Sequence, residues 1–107
     1  MKLLNAFSAN MLGAFPAAVR FSEVGAVEAS TALQVSHAGL ESCVGHADTA
    51  AVFGQQLGVA VPMNRANVVL TKGEFAVLGQ YSGPRLPEGA TVLPEGATIK
   101  WLLIEVY

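Results

Sequence analysis

One histidine of this sequence stands where acid catalysis on a phosphate ester is chemically feasible. The segment from Gly45 to Thr49 has the composition of a helix start, and it places His46 at the amino end of that helix. The free N–H groups and the dipole of a helix end favour anions, each contact being worth ~0.3–1 kcal/mol at exposed sites. The arrangement therefore suits a phosphate, with His46 as the candidate acid.

Further positively charged and hydrogen-bonding side chains could form, together with His46, a surface on which a nucleotide backbone docks. Arg65 and Arg85 flank strand-like runs, and Asn5 and Ser8 fall in the turn after the first apolar segment. Each residue also has an ordinary interpretation: the arginines as solvated or ion-paired side chains, Asn5 and Ser8 as turn formers, and His46 as a surface residue. Residue pattern alone therefore favours these ordinary interpretations and establishes no more than an α/β domain.

The composition narrows the classes of function. Among 107 residues, six Lys and Arg oppose eight Asp and Glu, which gives a formal net charge of -2. No whole-molecule field attracts a polyanion, so any phosphate recognition must be local. Cys43 is the only cysteine, which excludes an internal disulfide and suits a reducing, cytoplasmic setting. No metal-ligand spacing and no GxGxxG, P-loop or GxSxG motif occurs, so we expect no metal and no cofactor.

Two uncharged stretches could be mistaken for targeting or membrane segments. The first, between Lys2 and Arg20, is interrupted by polar residues and Pro16, and the second, residues 49–64, is shorter than the roughly 20 apolar residues of a membrane span. The sequence predicts neither a secretory signal nor a membrane partner.

The elements that must position the candidate residues are five predicted strands and two predicted helices. Period-two alternation or continuous apolar runs predict strands, and apolar residues sharing one face predict helices. The strands are expected at residues 2–6, 18–24, 65–71, 74–82 and 99–107, and the helices at residues 27–38 and 46–57, the second ending at Gly58. Lys72-Gly73 would join two of these strands as an antiparallel hairpin. We therefore expect one α/β domain over residues 1–107, with a mixed sheet of about five strands flanked by helices.

A short duplication precedes the last strand. Leu86 to Thr91 recurs as Leu93 to Thr98, and each Pro-Glu-Gly predicts a turn. Two copies are too few for a solenoid, which needs at least three stacked units.

Five segments, taken in order, carry a resemblance to a known family. They are Leu4 to Leu12 with the following Phe15-Pro16, the helix start from Gly45 to Thr49, the pair Asn64-Arg65, the turn from Arg85 to Gly89, and the last strand from Ile99 to Tyr107. The ordered set resembles the viral anti-CRISPR ring nucleases and their cellular relatives, which degrade cyclic tetra-adenylate. It covers most of the chain except about residues 25–40.

The resemblance implies a homodimer that holds the cyclic messenger across its two-fold axis, cleaves it without metal and so switches off type III CRISPR signalling. It carries over His46 as the general acid, Arg85 as a phosphate contact at the catalytic centre, and Glu88 as the carboxylate that orients the histidine. The duplicated turn offers Glu95 for the same role, but the spacing from Arg85 favours Glu88. The candidate ligand-binding residues are Asn5, Ser8, Asn10, Asp48, Thr49, Arg65 and Gln80.

Two other functions remain open on the sequence. The chain could be a non-catalytic sponge that sequesters a cyclic oligoadenylate, or a viral protein that binds ordinary nucleic acid. The acidic balance and the lack of a basic stripe disfavour the latter, and we expect no duplex partner.

Overall fold

Three parallel strands determine where the candidate residues meet. In the computed structural model, which describes residues 1–107, β1 (Lys2–Leu4) lies between β3 (Glu41–Cys43) and β4 (Phe75–Ser82) and runs parallel to both. Two more strands, β2 (Val19–Val24) and β5 (Thr98–Val106), complete a sheet of order β2-β5-β4-β1-β3, in which β5 is antiparallel to both neighbours. The carboxyl ends of β1, β3 and β4 therefore share one sheet edge, where ligands bind in open α/β sheets.

One face of the sheet carries both helices, α1 (Ala26–Val35) and α2 (Ala47–Leu57). Leu33 of α1 and Phe53 of α2 pack with Val77 and Trp101 in one buried cluster. The rings of Phe53 and Trp101 meet edge to face at 5.0 Å. A Cβ built on Gly79 would lie 2.6 Å from atoms of both rings, so only glycine fits beneath this pair.

The opposite face is covered by irregular chain. Leu4, Leu78 and Ile104 belong to its buried cluster. Partly buried residues from two loops, one following β1 and one preceding β4, pack around this cluster. An isolated bridge between Leu12 and Leu70 holds these two loops together. Both faces of β5 contribute buried side chains, so this strand is covered on both sides.

The predicted hairpin of residues 65–71 and 74–82 is wrong. Lys72-Gly73 does form a turn, in which the Glu74 N–H donates to the Thr71 carbonyl at 3.0 Å. The preceding residues form no strand, because β1 and β5 occupy both edges of β4. The Leu70 N–H donates instead to the Met11 carbonyl, with 2.6 Å between nitrogen and oxygen.

Most of the other predicted elements are confirmed within a few residues. The predicted mixed five-stranded α/β sheet is present, and Gly58 ends α2 in a left-handed conformation. The three-residue strand β3 has no counterpart in the sequence prediction. Neither helix is long and apolar enough to cross a membrane.

Candidate functional site

His46 lies at the junction of β3 and α2. Val44 is buried directly after β3, and His46 is the N-cap of α2, its carbonyl accepting the Ala50 N–H at 2.9 Å. The His46 side chain is exposed and makes no capping hydrogen bond, although the more common N-cap side chains do so. The imidazole is therefore free to contact a ligand at the amino end of the helix.

A first cleft, of about 790 Å³, opens on one side of His46. It combines polar and charged side chains from the start of α2, the end of β4 and the first copy of the duplicated turn. Its lining consists of His46, Asp48, Thr49, Tyr81, Arg85, Leu86, Pro87 and Glu88. Five residues predicted for the site thus meet in one cleft, within the range of ~300–1,000 Å³ typical of small-molecule sites.

A second cleft, of about 450 Å³, opens on the other side of the sheet edge and also borders His46. It is more apolar, with Leu4, Met11 and Val68 in its lining. Two further predicted residues, Asn5 and Arg65, line it as well. His46 therefore stands between two clefts, each of which contains one arginine.

Arg65 is anchored to the backbone just before His46. Its Nε donates to the Gly45 carbonyl at 2.9 Å, which leaves the terminal guanidinium nitrogens available for an anion. A Cβ on Gly45 would come within 3.3 Å of the Arg65 side chain, so glycine allows the arginine stem to cross there. Asn64 fixes the same segment through bonds to the carbonyls of Val44 and Ser42, both at 2.8 Å.

The structure separates the two candidate carboxylates of the duplicated turn. Glu88 shares the first cleft with His46, whereas Glu95 lines neither cleft. No hydrogen bond or ion pair joins Glu88 to His46, since the only ion pair of the chain is Lys2–Glu74 at the opposite edge of the sheet. Glu88 therefore lines the same cleft as the histidine without a hydrogen bond to it.

Three predicted ligand-binding residues lie outside both clefts. Ser8 and Asn10 belong to the short 3₁₀ turn Ala9–Met11 and its N-cap, where both are exposed. Gln80 pairs with Lys100 in the sheet, and its neighbour Tyr81 lines the first cleft. Because neighbouring strand residues point to opposite faces, Gln80 faces away from that cleft.

Tyr81 is the one polar residue in the lining of the first cleft that was not predicted from the sequence. It is half-buried, and its hydroxyl donates to the Pro84 carbonyl just beyond β4. The available signal was an aromatic residue with a polar tip next to the Ser82-Gly83-Pro84 turn, at the carboxyl end of a predicted strand.

Ionisable groups with shifted pKa values lie near the second cleft and at the far edge of the sheet. Burial raises the pKa of the Cys43 thiol, which is half-buried in the lining of the second cleft. Burial also acts to raise the pKa of Glu74, but hydrogen bonds from Lys2 and Thr71 outweigh it, so that the pKa of Glu74 is lowered. The hydrogen bond to Glu74 raises the pKa of Lys2. No three His, Cys, Asp or Glu side chains gather where they could hold a metal ion.

Comparison with known proteins gives two positive findings. The chain superimposes on B116 of Sulfolobus turreted icosahedral virus (STIV) with a TM-score of 0.81 and 26% sequence identity, over 97% of each chain. No curated protein matches the sequence. The family model described as STIV B116-like matches residues 1–98, which is most of the chain and includes every residue that lines the two clefts. The chain therefore belongs to the STIV B116-like family.

Proposed function

We propose that this chain is a ring nuclease that cleaves cyclic tetra-adenylate without a metal ion, in the cytoplasm of an infected or CRISPR-bearing cell. Cleavage of this messenger would switch off type III CRISPR signalling. The observation that carries the proposal is an exposed, unbonded His46 at a helix N-terminus, between two clefts that each present an arginine.

The proposed reaction uses the ribose 2′-hydroxyl as its nucleophile. The 2′-oxygen forms a bond to the adjacent phosphorus as the bond from phosphorus to the 5′-oxygen breaks, and the hydroxyl proton passes to solvent. His46 gives its proton to the departing 5′-oxygen, and the imidazole is reprotonated from water. Cleavage at two opposite positions leaves linear di-adenylates with a 2′,3′-cyclic phosphate and a 5′-hydroxyl. A general acid contributes typically ~10²–10⁴-fold to such a step.

The remaining residues of the clefts have matching roles in this reaction. Arg65 and Arg85 provide guanidinium groups for two phosphates on either side of His46, which supplies local positive charge in a chain of net charge -2. Thr49 and Asn5 offer hydrogen-bonding groups, one in each cleft. Glu88, in the first cleft, is the carboxylate that would orient the imidazole once a ligand tightens the site, since catalytic hydrogen bonds are often long without ligand.

The size of the ligand favours a dimeric site. A ring of four nucleotides is larger than the first cleft can enclose, and the cleft opens to solvent at the sheet edge. A two-fold dimer would bring a second His46 to the opposite corner of a four-phosphate ring, so that the symmetries of protein and ligand agree. We therefore propose a homodimer as the active form.

The test is incubation of the purified chain in EDTA with a large molar excess of cyclic tetra-adenylate, followed by chromatography of the products. We expect complete conversion to linear di-adenylate with a 2′,3′-cyclic phosphate. A single ring retained intact per dimer would instead identify a sponge and overturn the enzymatic proposal. Salt-sensitive binding of duplex nucleic acid with no effect on the ring would favour the nucleic-acid-binding alternative.

The duplicated turn provides a matched pair of variants for Glu88. Glu88→Gln should slow the cleavage, whereas Glu95→Gln, the same change in a turn of the same sequence, should leave it unchanged. Equal rates for both variants would remove Glu88 from the proposed site.

A further inference from the structure

The two copies of the duplicated segment form the same turn. In the first copy, the Ala90 N–H donates to the Pro87 carbonyl, and in the second the Ala97 N–H donates to the Pro94 carbonyl, both at 3.1 Å. The glycines at the corners have φ values of 79° and 80°, a left-handed conformation that glycine adopts without a Cβ penalty. Neither the local sequence nor the local backbone therefore explains why only the first turn lines the cleft.

The two turns differ in what holds them to the rest of the fold. The second turn ends at Ala97, which is buried against Gly83, where a Cβ would come within 2.8 Å of Ala97. The first turn is held by a side chain distant in sequence, because the Gly89 N–H donates to Asp48 Oδ1 at 3.0 Å. Asp48 lies in the first turn of α2, two residues after His46. One hydrogen bond thus joins the turn that bears Glu88 to the helix start that bears His46.

The segment between Pro84 and Gly89 is fixed at both ends. The Tyr81 hydroxyl donates to the Pro84 carbonyl at one end, and Asp48 accepts the Gly89 N–H at the other. All four residues between these bonds, Arg85 to Glu88, line the first cleft. We call the segment from Pro84 to Gly89 the arch.

We propose that Asp48 is a positioning residue, which holds the arch so that Arg85 and Glu88 face the same cleft as His46. Asp48 was predicted to bind the ligand, but its Oδ1 already accepts the Gly89 N–H, and a carboxylate repels phosphate. The negative charge of Asp48 in the first turn of α2 is also stabilised by the helix dipole. The catalytic part of this inference rests on the proposed function, whereas the fixing of the arch does not.

The expected effect on catalysis follows from geometry. Without Asp48 the arch keeps its own turn and the Tyr81 contact but loses its tie to α2. A misplacement of about 1 Å in a catalytic group can lower a rate by ~10²-fold. Loss of the Asp48–Gly89 hydrogen bond should therefore reduce turnover because Arg85 and Glu88 are displaced, while His46 stays in place at the N-cap of α2.

The test compares Asp48→Ala with Asp48→Asn, because the asparagine side chain keeps an oxygen that can accept the same hydrogen bond. Hydrogen exchange of the Gly89 amide reports the tie directly, without any ligand. We expect exchange to accelerate at least ~10-fold in Asp48→Ala and to remain near the wild-type rate in Asp48→Asn. The Gly96 amide in the second turn is the internal control, and its exchange should not change in either variant.

The kinetic arm uses cyclic tetra-adenylate with the same variants. We expect kcat to fall ~10-fold or more in Asp48→Ala, with KM changed less than about threefold, and Asp48→Asn to restore most of the loss. Unchanged Gly89 exchange in Asp48→Ala overturns the inference. Asp48→Asn as slow as Asp48→Ala, with Gly89 still protected, also overturns it, because the charge would then act on the ligand. A wild-type chain that does not cleave the ring refutes the proposed function, and Gly89 exchange alone then decides whether Asp48 fixes the arch.

Discussion

Gly79→Ala is expected to be strongly destabilising, because the new methyl group has no space beneath the pair of rings on which α2 is seated. Its Cβ would lie 2.6 Å from Phe53 Cζ and from Trp101 Cζ3, about 1 Å closer than ordinary van der Waals contact. Both rings are almost completely buried and already in contact with each other, at 1% and 4% exposure. Neither ring can move away without displacing other core residues.

The magnitude follows from two opposing terms. Overpacking of this kind costs typically ~1–3 kcal/mol, and contact with two rings favours the upper end. Alanine restricts the unfolded chain relative to glycine, which offsets ~0.4–1 kcal/mol of that cost. The net loss of unfolding free energy is about 2 kcal/mol, which corresponds to a Tm lower by roughly 8–16 °C in a domain of this size.

The assay is thermal unfolding followed by circular dichroism, with the wild-type chain, Gly79→Ala, Phe53→Leu and the double variant. Because Phe53→Leu removes ring atoms that the new methyl would meet, the double variant should lose less stability than the sum of the two single variants, by ~0.5 kcal/mol or more. A Gly79→Ala chain that melts within about 2 °C of wild type would refute this account of the core.

Three further outcomes are expected. Glu74→Gln removes the ion pair with Lys2, whose Nζ and Oε2 atoms lie 2.5 Å apart, and should lower the free energy of unfolding at pH 7 by about 1 kcal/mol. The pKa of Glu74 is lower in the folded chain than its ordinary value of 4.5. The extra stability of the wild type is therefore complete above pH 4.5 and is lost as the pH falls through the lowered pKa. Urea titrations that show the same difference in unfolding free energy between the two chains at about pH 7 and pH 3 would contradict this. Leu33→Ala, at a fully buried position of α1, should cost ~2–5 kcal/mol in the same titration, and a loss under about 1 kcal/mol would show that α1 is loosely packed. Cys43, whose pKa is raised by burial, should react with iodoacetamide at neutral pH more slowly than free cysteine, and an equal rate would speak against this environment.

The sequence predicted best the elements whose signals are local. The helix α2 carries its start and its stop in neighbouring residues, from His46 to Gly58, and the long apolar run of β5 identifies a strand buried on both faces. The hairpin prediction was wrong because a turn at Lys72-Gly73 does not determine which strand pairs with β4. That pairing is set by β1, about 70 residues earlier in the chain, through contacts that no local pattern contains.

For the site, the sequence identified several residue types that the fold then brings together. His46, Arg85 and Glu88 come from a helix start and a turn about 40 residues apart, and the fold places them in one cleft. Ser8 and Gln80 lie outside both clefts, because a turn and the alternation of a strand direct them elsewhere. The contact of Asp48 with Gly89 could not be predicted, since the two copies of the turn are identical in sequence and only the tertiary fold distinguishes them.

The proposed role of His46 as the proton donor is tested most directly by changing the leaving group. His46→Ala should bind cyclic tetra-adenylate but cleave it at least ~100-fold more slowly, whereas His37→Ala, at the other histidine, which is exposed beyond α1, should cleave it at the wild-type rate. In a ring whose 5′-bridging oxygens are replaced by sulfur, the 5′-sulfur departs as a thiolate, which needs no proton at neutral pH. We therefore predict that His46→Ala cleaves this sulfur-bridged ring at close to the wild-type rate. Loss of activity on both rings to the same extent, or no loss on either, would contradict the assignment of His46 as the general acid.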